Sequence, residues 1–73
     1  MKTRIGITLH ETNLEIWPTD DWSRRKCVDI LTRYHIGFTY VPTTMGSTAF
    51  QFYNHQDYKL ATELFSNTKT YND

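Results

Sequence analysis

The side chains that could carry out chemistry in this chain of 73 residues are one cysteine, three histidines and a pair of adjacent aspartates. The pair is Asp20 and Asp21, in the segment EIWPTDDWSRR. Adjacent carboxylates cannot flank a substrate as a matched acid and base without help from elsewhere. A helix N-terminus, in contrast, favours acidic residues because its exposed N–H groups attract negative charge. We therefore predict that Thr19 or Asp20 caps a helix.

The cysteine and the histidines lack the spacing of a catalytic or metal site. Cys27 falls on the apolar face of the predicted helix, which favours a small core residue over an exposed nucleophile. His35 and His55 lie at helix ends, without a carboxylate or thiol at ligand spacing. The sequence therefore predicts no catalytic residue, no metal and no cofactor, and we expect a protein that is not an enzyme.

The third histidine lies in a short motif. His10 and Thr12, in ITLHET, resemble one half of the signature of two-histidine phosphoesterases, in which two His-x-Thr or His-x-Ser motifs face each other. This chain has a single copy, and the usual two-lobed fold of that family needs a longer chain. The resemblance therefore transfers no activity to these residues.

A tryptophan among cations is the main indication of binding. On a helical wheel Trp22 lies with Arg25 and Lys26, on the side away from the apolar face. Aromatic and arginine side chains that lie together are typical of interface anchors. The alternative is that Trp22 folds back over Pro18 or the edge of a sheet, since large aromatic residues are usually mostly buried.

Two further candidates complete the predicted binding residues. Arg33 belongs to the same basic cluster, for which the alternative is a solvated helix face partly neutralised by Asp29. Tyr53 alternates with Phe50 and Phe52, so it is expected to face outwards. The candidate binding residues are Trp22, Arg25, Lys26, Arg33 and Tyr53.

The elements that position these residues follow from the periodicity of the sequence. RIGITLH alternates as a half-buried strand, and LEIW either closes a hairpin with it or forms an extended edge segment. A first helix is predicted over about 20–35. The strands IGFTYVP and AFQFY should pair through TTMGST, with Phe38, Tyr40, Phe50 and Phe52 on the inner face. Asn54 caps a second helix over about 54–66.

This order predicts a small α+β fold. We expect an antiparallel sheet of three to four strands with two helices on one face, in the order β(β)αββα. The split βαβ arrangement, without its last strand, is one candidate topology. Residues 1–67 form the single predicted domain, and residues 68–73 form a polar C-terminal tail.

Composition limits the classes of partner. Eight Lys and Arg balance eight Asp and Glu, which argues against a general nucleic-acid binder and against attraction to anionic lipid. No apolar run approaches the length of a membrane span, and the first residues lack the apolar core of a signal peptide. We expect a cytoplasmic protein, with neither a membrane nor a nucleic acid as its partner.

The favoured function is a small non-catalytic protein-binding module. A neutral, aromatic-rich domain of this kind would suit a viral or phage accessory protein that binds and modulates a host factor. The alternative is a nucleic-acid or nucleotide-binding module that uses exposed aromatic residues and a small basic patch. The expected partner is a host protein or a second copy of the chain.

Self-association is predicted from the size of the chain. A domain of this length buries a small core, and its single cysteine allows no internal disulfide. We therefore expect a homodimer, or obligate binding to another protein. Sedimentation velocity should detect the dimer, whereas a heat-stable monomer at high micromolar concentration would count against this expectation.

Overall fold

Four strands with alternating apolar residues form an antiparallel sheet in the computed structural model, which describes residues 2–3, 5–67 and 71–72. The sheet order is β2-β3-β5-β4, and both helices follow strands of this sheet. This confirms the predicted α+β class and its order. The elements are β1 (Lys2–Thr3), β2 (Ile7–His10), β3 (Glu15–Pro18), α1 (Asp21–Arg33), β4 (Phe38–Pro42), β5 (Thr48–Phe52), α2 (His55–Asn67) and β6 (Tyr71–Asn72).

The connections form a split βαβ unit. Strands β3 and β4 each run antiparallel to β5, which lies between them, so β3 and β4 are parallel to each other and α1 joins them. No strand of this sheet follows α2 among the described residues, as predicted. The fourth strand is instead β2, which pairs with the outer side of β3.

The open question about LEIW is resolved in favour of a true strand. Its residues contribute to β3, which pairs with β2 over four residue positions, from Ile7 opposite Pro18 to His10 opposite Glu15. A short 3-10 turn over Glu11–Asn13 connects the two strands, and Leu14 follows it in the left-handed region with φ 56°. Strand β2 starts at Ile7, later than the alternating pattern RIGITLH indicated.

One face of the sheet is covered by both helices. Cross-strand neighbours on this face include Ile16 and Phe50, both fully buried. The apolar faces of both helices pack there. Tyr34, which a helical wheel places on the same side as Cys27 and Leu31, is instead exposed after the last turn of α1. The buried cluster comprises Ile16, Cys27, Ile30, Leu31, Ile36, Phe50, Phe52, Tyr58, Ala61 and Phe65.

The start of α1 is fixed by side-chain capping. Asp20 lies before the helix in an extended conformation, and its Oδ1 accepts a hydrogen bond of 2.7 Å from the Ser23 N–H. Ser23 is fully buried, and its Oγ accepts from the Gly6 N–H at 2.8 Å. Asp20, rather than Thr19, is therefore the cap, and α1 is tied to the segment before β2.

The start of α2 has the predicted capping residue. The Asn54 Oδ1 accepts a hydrogen bond of 2.8 Å from the Asp57 N–H, and the Asn54 amide donates to the Asp57 carboxylate at 3.4 Å. This is a variant of the capping box, because the returning bond ends on the side chain of the cap and not on its backbone.

The predicted tail is described in part. Tyr71 and Asn72 pair with Thr3 and Lys2 in a separate two-stranded ladder, a pairing that the sequence analysis did not anticipate. The remaining positions of that tail, 68–70 and 73, lie outside the described residues.

Leu31→Ala should destabilise the fold by about 2–5 kcal/mol, because this fully buried residue lies at the centre of the apolar face of α1. Leu60→Ala is the matched control, since Leu60 is 44% exposed on α2, and it should cost no more than about 0.5 kcal/mol. Urea melts of both variants measure the difference. Equal midpoints would show that the helix phases are wrong.

Candidate protein-binding groove

A groove of about 500 Å³ lies between α1 and β4. We call it the α1–β4 groove. It contains three of the five residues that the sequence singled out, together with a tyrosine from the neighbouring strand. Its lining residues are Trp22, Arg24, Arg25, Lys26, Val28, Asp29 and Tyr40.

Trp22 is neither a core residue nor a fully exposed one. Its ring is half-buried, and the Lys26 ammonium lies 5.5 Å from the ring centroid, within the range of a cation–π contact. Both residues line the groove. Trp22 thus lies beside Lys26, as the helical wheel indicated. Its partial burial next to Tyr40 of the last strand is also what a ring folded back over the edge of the sheet, the alternative, would show, so mutation is needed to separate the two.

Two arginines of the groove contact the same carboxylate. Asp21 lies 2.7 Å from Nη2 of Arg24 and 3.5 Å from Nε of Arg25, as expected for residues three and four positions apart on a helix. The hydrogen bond from Arg24 lowers the pKa of the Asp21 carboxyl, and the same bond raises the pKa of Arg24. Asp21 thus positions Arg24 and contacts Arg25, in addition to its favourable position at the helix N-terminus.

Tyr40 is the groove residue that the sequence analysis assigned to the core. It does lie on the helix-covered face, opposite Phe50, with ring centroids 5.8 Å apart. Because β4 is the last strand of the sheet, however, Tyr40 is 49% exposed while Phe50 is fully buried. The alternation of apolar residues places Tyr40 and Phe50 on the same face. Only the order of the strands shows that Tyr40 lies at the edge of the sheet and is exposed, whereas Phe50 lies in its interior.

The other two candidates lie outside the groove. Arg33 is exposed in the last turn of α1 and does not line the groove. Tyr53 is 69% exposed, as predicted, and its hydroxyl is 3.0 Å from the Thr39 Oγ1. Its ring packs against Gly37, where an added Cβ would lie 3.1 Å from the ring. Three members of the predicted binding set therefore line the groove, and two lie outside it.

The face of the sheet opposite the helices carries a second aromatic feature, which the sequence analysis missed. The rings of His10 and Trp17 stack with centroids 4.0 Å apart, and the Trp17 indole N–H donates to Glu15 at 2.8 Å. Trp17 is cross-strand partner of Thr8, so His10 is its diagonal neighbour. The hairpin register was the signal that could have revealed this pair.

His55 has a partner that sequence spacing could not indicate. Its Nε2 lies 2.7 Å from Oε2 of Glu11, which belongs to the turn between β2 and β3. Both side chains are mostly exposed, so this contact contributes little to stability. In the described part of the chain, no three His, Cys, Asp or Glu side chains are grouped to hold a metal ion.

Over the residues that the structure describes, no helix combines the length and the apolar character needed to cross a bilayer.

Cys27 should be unreactive in the folded protein. Burial raises the pKa of its thiol to about 12, so almost no thiolate exists at neutral pH. A thiol reagent should label the protein only in denaturant. The pKa of the Cys27 thiol is higher in the folded protein than in the unfolded chain, so above about pH 9 the unfolded chain loses the thiol proton first. The free energy of unfolding should therefore be unaffected by this group below about pH 9 and decrease as the pH rises towards 12.

The Cys27→Ala variant is the control for that pH dependence, and it should lose stability less steeply over the same alkaline range. Rapid labelling of the native protein at neutral pH would contradict the buried position of the thiol.

Comparison with known proteins does not assign this chain to a family: no protein-family model, no curated protein and no solved structure gives a significant match.

Proposed function

We propose that this protein is a small protein-binding module without catalytic activity, and that the α1–β4 groove is its binding site. The observation that carries the proposal is the convergence of Trp22, Arg25 and Lys26 with Tyr40 around one groove. Trp, Tyr and Arg are the residue types enriched in binding hot spots. A concave site with a few convergent polar groups is also the usual form of a binding site.

The arrangement of the groove favours binding over structural decoration of the helix surface. Arg24 donates two hydrogen bonds to Asp21, so less of its side-chain freedom is lost when it binds a partner. Trp22 is partly covered and contacts Lys26, which likewise limits the motion of a large apolar ring. Both features reduce the entropic cost of association.

A nucleotide or nucleic acid is the second candidate partner. The observation in its favour is that Trp22 and Tyr40 share the groove with three cations, because aromatic rings can stack on bases while cations contact phosphates. The zero net charge of the chain disfavours it. A steep loss of affinity with salt, or loss of binding after nuclease treatment of the extract, would favour this candidate.

The compartment and the assembly state are part of the proposal. A lone buried thiol is compatible with the reducing cytoplasm, where we propose that the protein acts. The homodimer expected from the small core stays a prediction for sedimentation to test.

Trp22→Ala should weaken binding of the partner by about 2 kcal/mol or more, while the loss of folding stability should be smaller. The double variant Arg25→Ala/Lys26→Ala should also weaken binding. Arg33→Ala and Tyr53→Ala are the matched controls, because they remove a cation and an aromatic ring outside the groove. Capture from host extract, with and without nuclease, followed by thermal melts of each variant, measures both quantities.

Two results would contradict the proposal. One is a large fall in melting temperature for Trp22→Ala with binding retained in the folded fraction, which would make Trp22 a structural residue. The other is loss of binding in the Arg33 and Tyr53 variants with binding retained in the groove variants, which would place the site elsewhere.

A further inference from the structure

We propose that the partner is an extended acidic segment that pairs with β4 as a fifth, antiparallel strand and places every second side chain in the α1–β4 groove. This inference rests on the proposed function and specifies its ligand class. It follows from the backbone of β4, from the side to which the groove opens, and from the charges that line it.

The outer edge of β4 offers backbone groups for strand addition. In the part of the chain that the structure describes, β4 pairs with β5 alone. The Thr43 N–H donates to the Ser47 carbonyl at 2.9 Å, which identifies this pair as hydrogen-bonded. Hydrogen-bonded pairs alternate along an antiparallel ladder. The N–H and C=O of Phe38 and Tyr40, and the C=O of Pro42, therefore point away from β5.

The bond on the other side of β5 confirms this assignment. The Phe52 N–H donates to the Leu14 carbonyl at 2.9 Å, which means that it points towards β3. Phe52 is the cross-strand partner of Phe38, so this pair exchanges no backbone bonds. The outward groups of Phe38 are consequently available to a fifth strand.

The groove lies on the side to which such a strand would direct alternate residues. Residues directly opposite each other in an antiparallel pair have side chains on the same face of the sheet. A residue opposite Tyr40 would therefore point to the helix-covered face, where Tyr40 itself lines the groove. The next residue on that face follows after about 6.6 Å, two positions along the strand.

The charges that line the α1–β4 groove favour an acidic segment as the partner. The groove lining has three cationic residues, Arg24, Arg25 and Lys26, and one carboxylate, Asp29. Inclusion of Asp21, which binds both arginines, still leaves three cations against two carboxylates. Carboxylates on the groove side of the added strand would complement this excess, and an aromatic residue between two of them on that same side would contact Trp22.

The same charges disfavour a second copy of this chain as the occupant. Two-fold pairing of β4 with its symmetry mate would bring two α1–β4 grooves to one junction, so that their cations would face each other. An acidic segment avoids this repulsion. Concentration-dependent dimerisation that is lost on substitution in β4 would show that a second copy binds there, and it would overturn the proposal.

The test pairs two variants at one position. Tyr40→Pro removes the outward N–H and the ring, whereas Tyr40→Thr removes the ring and keeps the N–H. Neither change removes a backbone bond to β5, because Tyr40 and Phe50 are not a hydrogen-bonded pair. Leu9→Pro is the control on β2, the other edge strand. The N–H of Leu9 also points away from the neighbouring strand, β3, so proline removes no bond within the sheet there. Thermal melts verify that each variant folds.

The probe is an amidated synthetic peptide of the sequence Thr-Glu-Thr-Trp-Thr-Glu-Thr, in which the Glu and Trp side chains share one side of a strand. Its controls are an isomer with the two Glu and the Trp consecutive, a peptide N-methylated at Trp, and a peptide N-methylated at the following Thr. In the proposed complex the Trp N–H bonds to β4, while the N–H of that Thr points to solvent.

Calorimetric titration should show that the alternating peptide binds, and that the consecutive isomer binds at least about tenfold more weakly. Tyr40→Pro should lose about tenfold in affinity relative to Tyr40→Thr, and methylation at Trp should have a similar effect. Leu9→Pro and methylation at Thr should leave the affinity unchanged.

Failure of this inference can be separated from failure of the proposed function. Absence of binding by the alternating peptide at its solubility limit, or equal affinities for Tyr40→Pro and Tyr40→Thr, overturns strand addition by an acidic segment. If Trp22→Ala nevertheless reduces capture of the partner, the groove still binds protein by another mode. Retention of capture in Trp22→Ala and in the Arg25/Lys26 double variant overturns the proposed function itself.

Discussion

The arrangement of the molecule depends on the joint between β3 and α1, where three short hydrogen bonds fix the rotation of the helix. Asp20 accepts from the Ser23 N–H, Ser23 accepts from the Gly6 N–H, and the Thr19 N–H donates to the Gly6 carbonyl at 2.9 Å. With Ser23 fully buried, the helix cannot turn about its axis without leaving polar groups unpaired, at a cost of about 1–3 kcal/mol each. In this orientation of the helix, Cys27 faces the core and Trp22 faces the α1–β4 groove.

The same joint between β3 and α1 explains the adjacent aspartates Asp20 and Asp21. Asp20 caps the helix, and Asp21 accepts hydrogen bonds from Arg24 at the side of the groove. Neither carboxylate requires a catalytic role to account for its position. The acidic pair is therefore part of the scaffold that presents a basic and aromatic surface, and that surface lies beside a strand edge whose hydrogen-bonding groups point outwards. In our account these two properties together define the binding surface.

Local patterns predicted the elements because the interactions that define them are local. The alternation around Ile7 and Leu9, the capping residues Asp20 and Asn54 and the apolar stripe through Cys27 and Leu31 each involve neighbours in the chain.

The strand order depends on pairings between distant residues, and no local pattern encodes it. The exposure of Tyr40, the stacking of His10 on Trp17 and the contact of Glu11 with His55 all follow from that order or from the hairpin register. Tyr53 lies outside the groove for the same reason, since it follows β5, whereas Arg33 lies about two helical turns along α1 from Arg25.

Amide hydrogen exchange, measured by NMR on the protein alone and in complex with its captured partner, tests the central claim most directly. The claim is that a partner occupies the α1–β4 groove and the outer edge of β4. Exchange of the Phe38 and Tyr40 amides should slow on binding, while the Leu9 amide at the opposite edge and the amide of Tyr53 should be unaffected. Slower exchange at Leu9 or on the face that carries Trp17, with Phe38 and Tyr40 unchanged, would contradict the account.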